Sequence, residues 1–305
     1  MSTRPLAGSL LLALVTVIWG AAFIGQKTGM DHVGPFAFTV YRNVLAGLFL
    51  MSVVAFRRVS SGRVPALAPN LRYGFACGAS LFVAMMLQQV GIMYTSSGVC
   101  AFLTANYVIA VPILGLLIGR RPGAHVWIGA VVALFGTYLI CITGGESGGI
   151  GKGEALSAAC AVAFGVEILV VERCVTRPDA DLPLVCCSQF FTCALLGAPF
   201  LLLPSERALL GAGNVAAAAG AIAFCGILSS GVAYSMQNVG QKMLSAAPAA
   251  VIMSLECAFA ALFGRVFLGE TVHGRRQAGC ALVFAAAFGT QLFEVLASTS
   301  RRRGA

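Results

Sequence analysis

Two glutamates in this sequence lie in the middle of long apolar runs, where an ionisable side chain needs a specific reason to be present. Glu167 lies in a run from residue 153 to residue 173, and Glu256 lies in one from 245 to 268. A charge in an apolar medium costs several kcal/mol unless it is paired or hydrated, so such residues are functional candidates. Either carboxyl group could bind an amine or take up a proton. The alternative is a structural hydrogen bond that ties helices together.

A stripe of polar side chains follows one of the later apolar runs. Its members have the spacing i, i+3, i+4 and i+7, which places them on a single face of a helix; they are Tyr234, Gln237, Asn238 and Gln241. Gln88 and Gln89 form a similar group in an earlier run. Amide groups in a lipid-embedded helix must face protein or water. The stripe therefore lines a path for a polar solute, or it makes hydrogen bonds between helices worth ~0.6–2 kcal/mol each.

Two further groups have helical spacing and could line the same path. They are Trp19, Phe23 and Gln26 in the first run, and Thr104 and Tyr107 in the fourth, with Asn106 beside them. We interpret Phe23 as a packing residue. Trp19 lies too deep for the aromatic belt at a membrane interface, so we expect it to form a cavity wall. Arg42 lies about two turns into the second run, and we expect its side chain to reach the membrane surface. Pairing with a carboxylate or an anionic substrate is the alternative.

The composition identifies the medium that must surround these residues. The chain has 305 residues, of which 59% are hydrophobic and 10% charged, and its mean hydropathy is +0.90. A soluble domain carries roughly 25% charged residues, and its exterior must face water. The apolar runs are about 20 residues long, the length of a membrane-spanning helix, whereas barrel strands alternate over about 10 residues. The sequence therefore predicts an all-α integral membrane protein without a soluble catalytic domain.

The apolar runs predict ten transmembrane helices joined by short connections. We place them at residues 7–26, 34–56, 71–92, 96–119, 124–142, 153–173, 182–203, 214–241, 245–268 and 274–296. The first run is too long for a signal-peptide core and has no small-residue cleavage site near its end, so we interpret it as a retained helix.

The basic residues predict the orientation of the chain. With ten spans, thirteen Lys and Arg fall on the side of the N-terminus and five on the other side. The first set is Arg4, Arg57, Arg58, Arg63, Arg72, Arg120, Arg121, Arg173, Arg177, Lys242, Arg301, Arg302 and Arg303, and the second is Lys27, Lys152, Arg207, Arg275 and Arg276. Because cytoplasmic loops are enriched in Lys and Arg, both termini are expected in the cytoplasm, in a bacterial-type inner (plasma) membrane. This placement in short loops also argues against nucleic-acid binding, despite a net charge of +9.

The sequence gives no sign of a cofactor, a metal site or an ATP-driven pump. The eleven cysteines lie mostly inside apolar runs and form no CxxC pair, which is typical of small packing residues. The Gly-rich segment 144–153 lacks the spaced glycine and the Ser or Thr of a phosphate-binding loop. The three histidines lie near helix ends, away from a membrane-embedded serine. An intramembrane enzyme is therefore not expected, and a non-transporting structural or assembly protein is the remaining alternative.

The chain also matches itself at a displacement of about 145 to 150 residues. Gln88-Gln89-Val90-Gly91 corresponds to Gln237-Asn238-Val239-Gly240, and Gly8 and Trp19-Gly20 correspond to Gly153 and Phe164-Gly165. This repeat predicts two five-helix halves, residues 1–146 and 147–305. Because five is odd, the second half must enter the membrane from the opposite side. Inverted repeats of this kind are typical of secondary transporters, in which substrate binds near the midplane between the repeats.

Three stretches resemble EamA-type members of the drug/metabolite transporter superfamily. They are Trp19-Gly20-Ala21-Ala22-Phe23, the stretch from Ala101-Phe102-Leu103-Thr104 through Pro112 to Gly119-Arg120-Arg121-Pro122, and Ser254 to Gly264 followed by Leu268-Gly269-Glu270. Cys257 stands where the last motif usually has proline. The resemblance covers essentially the whole chain. It implies ten helices in two repeats and efflux or exchange of small metabolites, often amino acids or related compounds.

The expected partners follow from this interpretation. A small-molecule substrate would bind in a central cavity and cross the bilayer by alternating access, with protons as a candidate coupling ion. Thirteen residues are the candidate lining of that cavity: Trp19, Gln26, Gln88, Gln89, Thr104, Asn106, Tyr107, Glu167, Tyr234, Gln237, Asn238, Gln241 and Glu256. A single chain would supply a complete path, so a monomer would suffice, and a homodimer is the alternative.

Overall fold

The computed structural model describes residues 3–62, 65–95, 97–141, 151–268 and 274–303. Every regular element in these ranges is helical. The helices are α1 (Thr3–Met30), α2 (Pro35–Ser61), α3 (Leu67–Gly91), α4 (Ser97–Ala105), α5 (Tyr107–Leu117), α6 (Ala124–Cys141), α7 (Lys152–Val175), α8 (Leu182–Gly197), α9 (Pro204–Arg207), α10 (Ala212–Ala223), α11 (Tyr234–Met243), α12 (Ala246–Met253), α13 (Glu256–Leu268) and α14 (Gly274–Arg303). A 3-10 turn at Ala198–Leu202 follows α8, and a π-helical segment at Phe224–Ala233 joins α10 to α11.

These elements form ten apolar spans, which confirms the predicted fold class. Eight stretches are long and apolar enough to cross a membrane, and the shorter apolar helices Ala124–Ile140 and Gln277–Phe293 complete the set. Span 4 consists of α4 and α5, span 8 of α10, the π-helical segment and α11, and span 9 of α12 and α13. Large apolar side chains such as Leu10, Leu117 and Phe288 remain exposed on the outside, as a lipid-facing surface requires.

The two halves enter the membrane from opposite faces. Spans 1 and 3 begin on the same face, so α3 ends on the other one. There Gly91 lies beside Gly153 at the start of α7: a Cβ added to Gly91 would lie 3.4 Å from the Gly153 carbonyl oxygen. At the opposite face, Gly240 at the end of α11 lies beside Gly8 near the start of α1. A Cβ added to Gly240 would lie 3.2 Å from the Gly8 carbonyl oxygen. The second half therefore begins where span 1 ends, and a pseudo-two-fold axis relates the halves.

Spans 4 and 9 are each interrupted at equivalent positions, whereas the sequence predicted one continuous helix for each. In span 4 the break falls at Asn106, between α4 and α5, and in span 9 it falls at Ser254 and Leu255, between α12 and α13. In both breaks a backbone amide donates a hydrogen bond to the carbonyl oxygen three residues earlier in the chain. The Leu255 amide, for example, donates to the Ile252 carbonyl oxygen at 3.1 Å. The break in span 9 forms without a proline at position 257, and Pro112 lies within α5, beyond the break.

The middle of span 8 is π-helical, which the apolar run at 214–241 did not predict. Two glycines in this segment let span 8 approach span 2 closely. A Cβ added to Gly226 would lie 2.9 Å from the Arg42 carbonyl oxygen, and one added to Gly231 would lie 2.8 Å from the Phe49 ring. Stretches of π-helix are rare and frequently occur at functional sites. Here the segment joins the polar stripe of α11 to the part of span 2 that carries Arg42.

Close packing of span 1 on span 9 gives a direct test of this arrangement. A Cβ added to Gly20 would lie 2.6 Å from Phe259 Cβ and 2.8 Å from the Ala260 backbone nitrogen. The backbone of α13 would have to move, so we expect Gly20→Ala to lower the free energy of unfolding by about 1–3 kcal/mol. Thermal unfolding of the purified protein in detergent micelles measures this change.

Gly220→Ala is the matched control, because nothing lies within 4 Å of a Cβ added at that helical position. It is expected to leave stability unchanged or to raise it by up to about 1 kcal/mol through better helix propensity. Equal unfolding temperatures for the two variants would contradict the described contact between spans 1 and 9.

Candidate functional site

One cavity lies among the central parts of spans 1, 2, 3, 4, 6, 8 and 9. Its lining residues are Trp19, Ala22, Phe23, Gln26, Arg42, Met85, Gln88, Gln89, Thr104, Tyr107, Phe164, Glu167, Ile168, Ser229, Tyr234, Gln237, Met253 and Glu256. The centres of water molecules can occupy about 40 Å³ of it. Because one water needs roughly 10–15 Å³ by this measure, the cavity has room for a few waters. A larger solute requires the surrounding spans to separate.

Fourteen of the eighteen lining residues form equivalent pairs from the two halves, and the other four have no counterpart in the lining: Gln26, Arg42, Gln89 and Ser229. At a displacement of 145 residues the pairs are Trp19 with Phe164, Ala22 with Glu167, and Phe23 with Ile168; at 149 they are Met85 with Tyr234, Gln88 with Gln237, Thr104 with Met253, and Tyr107 with Glu256. The cavity thus lies on the pseudo-two-fold axis. Gln88 and Gln237 carry the same amide, but the acidic positions differ, since both carboxyl groups belong to the second half, opposite Ala22 and Tyr107.

Tyr107 and Glu256 meet across this axis. The Tyr107 hydroxyl donates a hydrogen bond to Glu256 Oε1 at 3.0 Å, and both side chains are buried. Each is the first residue of the helix that follows the break in its span. The bond holds the Glu256 carboxyl in one orientation and satisfies one of its oxygens. The other oxygen keeps its capacity to accept a hydrogen bond from a solute in the cavity.

Glu167 has a different environment. Its side chain is fully buried, and the Gln237 side chain lies beside it, yet neither carboxyl oxygen has a hydrogen bond of ordinary geometry. Both amide atoms of Gln89 and the Gln237 Oε1 atom are likewise buried without a protein partner. Leaving such groups unsatisfied costs about 1–3 kcal/mol each. Unpaired polar atoms along a cavity are suited to bind water or a polar solute.

Aromatic side chains form one wall of the cavity. The Trp19 and Tyr234 rings lie 4.8 Å apart between centroids, at an interplanar angle of 53°. Trp19 Nε1 donates to the Ser229 carbonyl oxygen at 3.3 Å, in the π-helical segment. Trp19 thus lies in the cavity wall, at a depth below the membrane interface, as its place in the first run predicts. Phe23, which the sequence indicated as packing alone, also lines the cavity.

Arg42 differs most from its expected position. Its side chain is only 3% exposed and lines the cavity instead of reaching the membrane surface. Its Nε and Nη2 atoms both donate to Ser230 Oγ at 3.1 Å.

Glu206 fixes the start of the helix that carries Arg42. Its carboxylate accepts hydrogen bonds from the Ala37 amide at 2.9 Å and the Phe36 amide at 3.4 Å. Spacing along one run cannot reveal these contacts, because the partners lie far away in the chain.

Three candidate residues lie outside the cavity lining. Asn238 turns toward span 7, where Nδ2 lies 2.9 Å from Cys186 Sγ. Gln241 donates from Nε2 to the Ile168 carbonyl oxygen at 3.0 Å and so joins span 8 to span 6. Asn106 forms the break in span 4, where its carbonyl oxygen accepts from the Ile109 and Ala110 amides. A four-residue stripe covers a wide arc, so its members divide between the cavity and neighbouring helices.

In the parts of the chain that the structure describes, no three His, Cys, Asp or Glu side chains lie close enough to share a metal ion. The described cavity instead combines amides, hydroxyls, two carboxyl groups and one guanidinium among aromatic walls. Such a lining offers weak, multiple contacts to a small polar molecule.

Ten spans in two inverted repeats around a polar cavity define the architecture of a membrane transporter. The model of the EamA-like transporter family matches residues 6–142 and again residues 151–291. The chain therefore belongs to this family, within the drug/metabolite transporter superfamily. It is a multi-pass membrane protein whose partners are a small-molecule substrate and membrane lipid. Transporter families are not enzyme classes.

Several relatives match nearly the whole chain. An uncharacterized transporter of Archaeoglobus fulgidus is 28% identical over 93% of this chain and 85% of its own length. The threonine/homoserine exporter RhtA is 26% identical in Escherichia coli K12 and 25% identical in Salmonella typhimurium, each over 93% of this chain and 90% of its own length. A solved crystal structure covers 96% of this chain and 98% of its own, with a TM-score of 0.76 and 19% sequence identity. That likeness is one of fold.

Proposed function

We propose that this protein is a secondary transporter that exports or exchanges small metabolites, such as amino acids or related compounds, by alternating access. The observation that carries the proposal is the cavity itself, because each half contributes equivalent positions to one polar site on the pseudo-two-fold axis. The exporters of threonine and homoserine among the relatives support the direction and the class of solute.

Alternating access is proposed as a rocking of one half against the other. The repeat units are residues 1–146 and 147–305, and their boundary falls outside the described residues. In the described state the cavity has room for only a few waters, so a metabolite can enter when the halves separate on one side. In this proposal the Tyr107–Glu256 contact, which lies beside the breaks in spans 4 and 9, joins the two moving parts.

The proposed orientation places both termini in the cytoplasm of a bacterial-type inner membrane. It rests on the excess of Lys and Arg at the ends of the spans on that side. There, Arg57 pairs with Asp181 at 3.4 Å, and Arg120 pairs with Glu172. One chain supplies both halves of the cavity, so the proposed transporting unit is a monomer, and a homodimer of independent units is the alternative.

Counterflow in liposomes tests the proposed function. The purified protein is reconstituted, liposomes are loaded with an unlabelled solute, and uptake of the labelled solute is followed for the twenty amino acids, a polyamine, a hexose and a nucleoside. We expect counterflow of at least one amino acid. Gln237→Leu should reduce it about tenfold, because the cavity loses a polar contact worth roughly 1.4 kcal/mol.

Gln189→Leu is the matched control. Gln189 is equally buried and its amide has no hydrogen-bond partner, but it does not line the cavity, so transport should be retained. Absence of movement for every solute would exclude the transporter proposal. Chemical turnover without transmembrane movement would favour an enzyme.

Proton coupling is proposed to occur at Glu167, with Glu256 as the second candidate. A carboxyl group buried without a partner can exchange a proton for a cationic ligand during the cycle. Glu167→Gln keeps the shape but not the proton, so it should abolish uptake driven by a pH gradient and retain solute exchange. Both rates are measured in the same liposomes. Unchanged pH dependence in Glu167→Gln and in Glu256→Gln would remove proton coupling from the account.

A further inference from the structure

Arg42 carries a permanent positive charge in the cavity, and its hydrogen bonds in the structure go to a single neutral acceptor. Of its five N–H groups, one on Nε and one on Nη2 reach Ser230 Oγ. Within the ranges that the structure describes, no carboxylate oxygen lies within 4.0 Å of the guanidinium. The group is nonetheless 3% exposed. A buried guanidinium with three uncommitted donors is a site prepared for an anionic group.

The two carboxyl groups of the cavity come from the other half of the chain. Glu167 and Glu256 belong to spans 6 and 9, whereas Arg42 belongs to span 2. All three groups line the same cavity. Because none of them forms an ion pair with another among the described residues, the cavity presents one guanidinium and two separate carboxyl groups around one small space. A solute with a single charge could satisfy only one of these groups.

We propose that the substrate is a zwitterionic amino acid, and that Arg42 anchors its carboxylate. This proposal rests on the proposed transport function and names the substrate class of the same cavity. The planar guanidinium matches a carboxylate with two parallel N–H···O bonds, which a lysine ammonium cannot reproduce. Ser230 holds the side chain through Nε and Nη2, so Nη1 and the remaining Nη2 hydrogen stay available.

Glu256 is the proposed partner of the substrate ammonium. Its orientation is fixed by the Tyr107 hydroxyl on Oε1, and among the described residues no hydrogen-bond donor reaches its second oxygen. The carboxylate and the ammonium of the substrate would thus be bound by different halves. Separation of the halves would break one of these two contacts, which couples release of the solute to the change of access.

Competition for counterflow measures the role of Arg42 directly. The tracer is the labelled amino acid that the wild-type protein carries best. The competitors are the same amino acid, its methyl ester, and the amino alcohol in which the carboxylate is replaced by a hydroxymethyl group. In the wild type, the amino acid should compete at least tenfold better than the ester or the alcohol. In Arg42→Gln, this preference should fall to about twofold or less, while competition by the alcohol stays within twofold of the wild-type value.

Arg57→Gln is the matched control, because Arg57 lies at an exposed end of span 2 and should leave the preference unchanged. Arg42→Lys is expected to retain part of it. Should Arg42→Gln fail to fold, Ser230→Ala replaces it and should lower the preference two- to fivefold. Equal loss of competition by acid and alcohol would overturn the proposal in favour of a structural arginine, as would a wild-type protein without the preference.

The control solutes separate this outcome from failure of the proposed function. If the wild-type protein carries only the polyamine, the hexose or the nucleoside, transport stands and the carboxylate anchor is overturned. If it carries no solute of the panel, the proposed function itself fails.

Discussion

Lipid supplies no hydrogen bonds, so every polar side chain within the spans must be satisfied by protein, water or a solute. This constraint explains why many of the buried polar groups line the cavity between the halves. Tyr107 and Glu256 satisfy one another there, Trp19 uses a backbone carbonyl, and Arg42 uses a serine hydroxyl. The unsatisfied atoms of Glu167 remain in the same place. The cavity thus collects buried polar groups that a solute can complete, while other buried amides, such as that of Gln189, lie outside it.

Close helix packing makes that site possible at the centre of an otherwise tight structure. Helices in lipid associate through small residues that let their backbones approach. Gly8 and Gly240 meet near one face of the bundle, and Gly91 and Gly153 meet near the other. Between these two contacts, larger side chains such as Trp19 and Tyr234 surround the cavity. The same repeat that brings the glycines together also brings equivalent cavity residues together, so packing and function share one symmetry.

The sequence indicated the spans and much of the cavity because both depend on local spacing. Apolar runs of helical length fix the spans, and the repeat identified Gln88 with Gln237 as equivalent positions. Spacing predicts that Asn238, Gln241 and Gln237 share one helix face, but it cannot show which part of that face points toward the cavity. In the structure, Asn238 and Gln241 contact neighbouring helices instead. The sequence of span 2 predicts Arg42 at the membrane surface, because spacing along one run does not show a partner that lies 188 residues away in the chain. The breaks in spans 4 and 9 and the π-helical segment of span 8 also depend on contacts between spans, so an apolar run does not predict them.

Accessibility of the cavity from both sides of the membrane tests the central claim most directly. A single cysteine would replace Gln237 in a background without native cysteines, and a water-soluble maleimide would be added to spheroplasts and to inverted vesicles. The account predicts labelling from both sides and protection by the transported solute, whereas a cysteine at exposed Leu228 in the same span should stay unlabelled. Labelling of position 237 from one side only, or only by a lipid-soluble reagent, would contradict alternating access.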